Sequence, residues 1–221
     1  MSNRRIDTVL LDFDGTLMDT NDLVIRSWQH AFRTLTGKDG SPEDILRSFG
    51  EPIENTVAKF FPDREEREAV QAYRTYHHEE FENSIKLFPG IVNLLDALKS
   101  EGYTLGLVTS RLRRTAKIGM EKFDLFRYFD SFVTVDDTEN AKPDPAPILL
   151  SLDNLRKTPE SAIMVGDTLH DIHCARNAGV LSALVSWTLA VPEHKRTGAN
   201  EPDFIVGEPT ELMDILQELN R

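Results

Sequence analysis

The chain has 221 residues, 40% hydrophobic and 28% charged, with 25 basic and 37 acidic side chains and a formal net charge of −12. That length and apolar content suit one large domain or a core domain carrying a smaller one. The acidic balance repels nucleic acid and anionic membrane and so argues against both as partners, while a small anion needs a locally cationic pocket or a bound metal.

The opening MSNRRIDT is charged and runs straight into an apolar segment, with no signal peptide. Thr8–Leu11 is the first of five short apolar runs that read as buried parallel strands. From Asp19 to Leu87 no strand pattern appears, and DLVIRSWQHAFRTL, PIENTVAKFF and REEREAVQAYRTYHHEEFENSI all read as helices. So long a block exceeds an ordinary strand-to-helix connection, and it is expected to be a helical domain, residues 19–87, inserted into a core of residues 1–18 and 88–221. The second crossing, LFPG, carries the Pro and Gly of a turn.

Beyond it, IVNLLDALKSEG reads as a helix closed at Gly102, followed by strands at Thr104–Val108 and Phe132–Val135. NAKPDPAP is a proline-rich turn, and Ala162–Val165 is the next strand. LHDIHCARNAG is a helix ending at Gly179, Ser182–Ser186 a further strand, Phe204–Val206 a weaker one, and PTELMDILQELN a terminal helix. Residues 192–202 form a polar connection. Alternating strands and helices specify an α/β fold with a parallel sheet. Cys174 is the single cysteine, which forms no internal disulfide and suits a reducing, cytoplasmic setting; its half-apolar helical context reads as packing. No apolar run approaches the ~20 residues of a membrane span.

Several strand ends carry polar groups. Leu11 is followed by Asp12-Phe13-Asp14-Gly15-Thr16, Val108 by Thr109-Ser110-Arg111, and Val165 by Gly166-Asp167 with Asp171 four residues on. Open parallel sheets bind ligands beyond the carboxyl ends of their strands, so these groups converge on one rim, within reach of Lys142 from the proline-rich turn. Residues two apart in a strand point the same way, which lets Asp12 and Asp14 address one centre. Carboxylates from Asp12, Asp14 and Asp167 share a small volume only around a cation, and oxygen-only ligands favour magnesium. The Thr109 hydroxyl, the Ser110 amide and the Lys142 ammonium are donors, which together with the metal describe a phosphate site. DFDG does not open an EF-hand loop, because Leu17 and Leu23 stand where that loop needs Gly and Glu. His170 and His173 flank Asp171, yet magnesium seldom takes imidazole; His77 and His78 read as solvated.

This constellation resembles the haloacid dehalogenase-like superfamily of phosphohydrolases: DFDGT matches its first motif, Thr109 its second, Lys142 its third and GDTLHD its fourth. The resemblance covers nearly the whole chain and implies a Rossmann-like core with an inserted helical cap. It implies Asp12 as nucleophile through an aspartyl-phosphate and Asp14 as acid and base. Thr109, Ser110 and Lys142 would bind phosphate, and Asp12, Asp14 through its carbonyl, Asp167 and Asp171 would hold magnesium. An aspartate at position 14 separates the chain from the metal-free dehalogenases. FGEPIENTVAKFF and VSWTL are similar to the phosphoglycolate phosphatase-like group, and most similar to a bacterial pyrophosphatase within it. Phosphoglycolate phosphatase and then β-phosphoglucomutase are the alternatives. A phospho-receiver switch domain is disfavoured by the helical insert and by the position of its acceptor aspartate, here Asp136 or Asp137. Gly50 and Glu51 in the cap, with Arg111, Arg113 and Arg114 after the Thr109 strand, are the candidates for choosing the substrate, at least one of those arginines facing the pocket. The partner is a small phosphorylated molecule or pyrophosphate; a monomer and a dimer are both compatible with the sequence.

Overall fold

The computed structural model describes residues 5–49, 51–187, 190–191, 193 and 196–221. Its centre is a six-stranded parallel sheet in the order β5-β4-β1-β6-β7-β8, with β1 (Thr8–Leu11), β4 (Thr104–Val108), β5 (Ser131–Val133), β6 (Ala162–Gly166), β7 (Leu181–Val185) and β8 (Phe204–Val206). β1 lies in the middle, with Thr8 opposite Thr104 on one side and Ala162 on the other. All four of its residues are buried, as expected of a strand covered on both faces. Leu10 and Met164 join Ile148, Leu152, Cys174 and Ala175 in one cluster. These last four come from α7 (Ala146–Leu155) and α8 (Leu169–Ala178). Helix α5 (Ile91–Ser100) packs on β4 and on α9 (Glu211–Leu219), which in turn reaches β8. Helix α6 (Arg113–Lys122) follows β4.

The chain divides into two compact units, residues 1–18 with 87–221 and residues 19–86. The second is helical: α1 (Asn21–Thr36), α2 (Pro42–Arg47), α3 (Ile53–Phe60) and α4 (Glu66–Ser84). Its core joins Trp28, Ala31, Leu35, Ile45, Val57, Phe61, Ala69 and Tyr73. The Trp28 ring meets Phe60 edge-on at 5.2 Å and Tyr73 at 4.3 Å between centroids. Two two-residue strands, β2 (Met18–Asp19) and β3 (Lys86–Leu87), pair where the chain passes between the units, a stretch the sequence pattern leaves without strand. Helix α2 also escapes the apolar periodicity; its signal is the Ser41 cap, whose hydroxyl accepts from the Asp44 amide, with Pro42 in the first turn. β5 stops at Val133, short of the expected Val135, because Thr134 and Asp137 form a capping box there. Among the described residues no helix is long and apolar enough to cross a membrane.

Candidate active site

The loop after β1 is built to present carboxylates. The Asp12 amide still donates to Val165 O (2.9 Å), so Asp12 is held as part of the sheet. Phe13 turns wholly into the core, and the Gly15, Leu17 and Met18 amides close a tight turn onto Met18 and Phe13 carbonyls. Gly15 has φ +73°, and a Cβ there would overlap the Asp167 carboxylate. Glycine at this point therefore serves both the turn and the close approach of β6's end to β1's end. Trp187, two residues beyond β7, donates its indole N–H to Thr16 O at 3.2 Å and ties the same loop from the far side. Nothing in the motif spacing signals that tether.

Lys142 is buried at the heart of the site. Its ammonium donates to Asp12 Oδ1 (2.8 Å), Asp171 Oδ1 (2.6 Å) and Val108 O (3.0 Å), which occupies all three of its protons. Asp171 is at the third position of α8, where its Oδ2 accepts from the Thr168 amide (3.0 Å) and hydroxyl (2.7 Å) in a capping box. One carboxylate thus caps a helix and fixes Lys142. Gly166 is needed beneath it, since a Cβ there would run into the Asp171 side chain. Burial pushes the Asp12 carboxyl up to about 7, against the pull of Lys142. Burial opposes the charge on Lys142, but Asp12 and Asp171 outweigh it and raise the ammonium's pKa above its ordinary value.

Carboxylate oxygens of Asp12, Asp167 and Asp171 lie within 4.8 Å of one another, all buried. Three carboxylates against one ammonium leave an excess of negative charge away from water. An all-oxygen donor set of that kind fits a hard divalent cation. The Asp14 side chain turns elsewhere: Arg111 grips it with Nε on Oδ2 (2.7 Å) and Nη2 on Oδ1 (2.8 Å). Thr109 is buried at the end of β4, its amide on Val133 O and its hydroxyl accepting from the Arg111 amide at 3.1 Å. Ser110 is exposed beside it.

Of the three arginines in this segment, Arg111 is the one paired with a first-motif carboxylate. Arg113 is turned to Asp137 (2.5 Å) and Phe132 O (3.0 Å), over the Phe132 ring, and Arg114 is exposed on α6. Glu51, in the helical unit, pairs with Lys59 at 2.6 Å; Gly50, Thr188 and Leu189 lie outside the described residues, as do Pro192, His194 and Lys195 of the polar connection. Cys174 donates to Asp144 O, and burial raises its thiol to about 12, so it remains a neutral packing residue. Burial lowers the pKa of half-buried His170, which favours its neutral form, and His173 bonds Asn200.

Residues 9–185 match the family model described as haloacid dehalogenase-like hydrolase. The chain belongs to that family. It is 37% identical to pyrophosphatase PpaX of Bacillus cereus over 98% of this chain and 99% of the relative, and 36% identical to the Bacillus anthracis enzyme of that name over the same shares. Among solved structures it is similar to the haloacid dehalogenase-like hydrolase SP0104 of Streptococcus pneumoniae, with a TM-score of 0.84, 27% identity and coverage of 98% of this chain and 100% of that one. A Lactobacillus plantarum protein provisionally named a phosphoglycolate phosphatase gives 0.83, 25% identity and coverage of 96% and 99%. The fold is therefore that of this hydrolase family, and the chain is a hydrolase with enzyme relatives along its whole length.

Proposed function

We propose that this hydrolase transfers a phosphoryl group to Asp12 and then to water, and that its substrate is inorganic pyrophosphate. One observation carries the chemistry: Asp12 is a buried carboxylate fixed by Lys142 and set beside Asp167 and Asp171 at the mouth of the sheet. Full-length likeness to proteins named pyrophosphatase supports the substrate.

In this reading Asp12 Oδ attacks one phosphorus of pyrophosphate, the Oδ–P bond forms, the bridging P–O bond breaks, and its electron pair leaves with orthophosphate. Asp14 faces the departing oxygen. It gives up a proton to a poor leaving group, and in the second step takes one from the water that attacks the aspartyl-phosphate, which returns Asp12 and releases the second orthophosphate. Thr109 Oγ and the Ser110 amide bind equatorial oxygens, while Lys142 holds Asp12 in line and contributes its charge. Asp12, Asp167 and the Asp14 carbonyl would hold magnesium, with Asp171 behind them, and the ion would supply the charge neutralisation that lets a carboxylate approach a phosphate. The helical unit, residues 19–86, is the proposed cap that selects the leaving group.

Phosphate release from pyrophosphate, phosphoglycolate, β-glucose-1-phosphate and a nucleotide, with magnesium and with a chelator, tests both levels. Pyrophosphate should give the highest kcat/KM, and Asp12→Asn should lower it by at least about 10³-fold while leaving the fold intact. Preference for phosphoglycolate would transfer the assignment to the second reading, which the Lactobacillus plantarum likeness favours. Full activity in Asp12→Asn would remove the covalent mechanism.

A further inference from the structure

A departing phosphate poses a charge problem that Lys142 is not placed to solve. All three Lys142 protons are given to Asp12, Asp171 and Val108 O, on the nucleophile's side of the site. The departing group must come up to Asp14, and a phosphate brought against that carboxylate is repelled. The cation in hydrogen-bond contact with Asp14 is Arg111, which binds both of its oxygens. The Arg111 side chain is 11% exposed and the Asp14 side chain 32%, so Asp14 is the more open partner and the fork lies alongside its carboxylate. The same planar fork fits two phosphate oxygens as well as two carboxylate oxygens. Arg113 is held instead by Asp137 and the Phe132 carbonyl.

We infer that Arg111 is the specificity-determining residue for a phosphate leaving group, its guanidinium passing from Asp14 to the departing phosphate of pyrophosphate when substrate enters. This rests on the proposed transfer to Asp12. The exchange selects in two ways: the leaving phosphate gains a bidentate cation, and Asp14 is set free to address the departing oxygen and later the water. A leaving group that presents one oxygen cannot take both arms of the fork and leaves more of it on Asp14.

The ratio of kcat/KM for pyrophosphate to that for p-nitrophenyl phosphate tests the inference in the intact, magnesium-loaded protein. Arg111→Met should lower that ratio by about 10- to 100-fold, the size of a lost charge-assisted pair. Arg111→Lys, which keeps the charge and loses the fork, should recover part of it, and carries the contrast alone if the Met variant does not fold. A merely structural role would depress both substrates together, so an unchanged ratio in both variants overturns the inference and leaves the pyrophosphate assignment standing. A wild-type protein that cleaves p-nitrophenyl phosphate and not pyrophosphate overturns the assignment and the inference together.

Discussion

At the residue scale the site turns on Lys142, whose single positive charge lies among three buried carboxylates. Removing it leaves Asp12 and Asp171 without their shared partner, and breaking a buried pair in this way typically costs about 3–5 kcal/mol. Lys142→Met should therefore lower stability by that order in urea or thermal unfolding, with part of the loss restored by a divalent cation. Burial holds a proton on Asp12 up to about pH 7, above the 3.8 of an ordinary aspartate. The folded protein thus binds that proton more tightly than the unfolded chain, and in the absence of metal this group costs stability increasingly as pH rises from about 4 to about 7, then no further. A cation held by Asp12 would have to displace the same proton. Calorimetric titration of metal-free protein should show affinity weakening by up to about tenfold per pH unit below 7, flattening above it. Asp12, Thr109, Lys142 and Asp167 stand out in the sequence because each strand-end carboxylate or hydroxyl interrupts or follows an apolar run, and Lys142 sits in a proline-rich turn. The partnership of Arg111 with Asp14 does not, because Arg111, Arg113 and Arg114 look alike until the backbone after β4 turns one of them toward the first loop and another toward Asp137.

At the scale of elements, the site depends on two strand ends approaching closely enough that one of them lacks a side chain. Gly15→Ala would place a methyl group where the Asp167 carboxylate lies, on a backbone with φ +73°. Its expected effect is at least a tenfold loss of divalent-cation affinity by calorimetry, from a protein whose circular dichroism is unchanged. The strands were legible because buried parallel strands read as continuous apolar runs, and the helices because left-handed Gly102, one residue past the Glu101 cap, follows α5 and Gly179 caps α8. The misplaced boundaries have local causes. The run FVTV looks like strand to its end, yet the Thr134 and Asp137 side chains take over the backbone amides and stop β5 at Val133. Helix α2 spans only Pro42–Arg47, too short for periodicity to reveal, so its cap residues were the informative signal.

At the scale of the whole molecule, every carboxylate of the cluster, with Lys142 and Arg111, belongs to the unit of residues 1–18 and 87–221. Replacing Asp19–Lys86 with a short Gly-Ser linker should accordingly leave a folded sheet that still binds a divalent cation with the same pH dependence. A linker variant that folds but has lost cation binding would show that the helical unit organises the carboxylates. The parallel α/β class was legible from alternation alone, whereas strand order was not, since apolar runs do not say which neighbour each will take. That order has a consequence for how the protein is made. Of the six sheet strands β1 leaves the ribosome first, yet its two neighbours begin at Thr104 and Ala162, so both of its edges wait until β4 is made and one of them until β6 is made. Its four buried side chains stay without their sheet neighbours for that interval, and the cluster of Asp12, Asp167 and Asp171 cannot assemble until the chain beyond β6 has emerged.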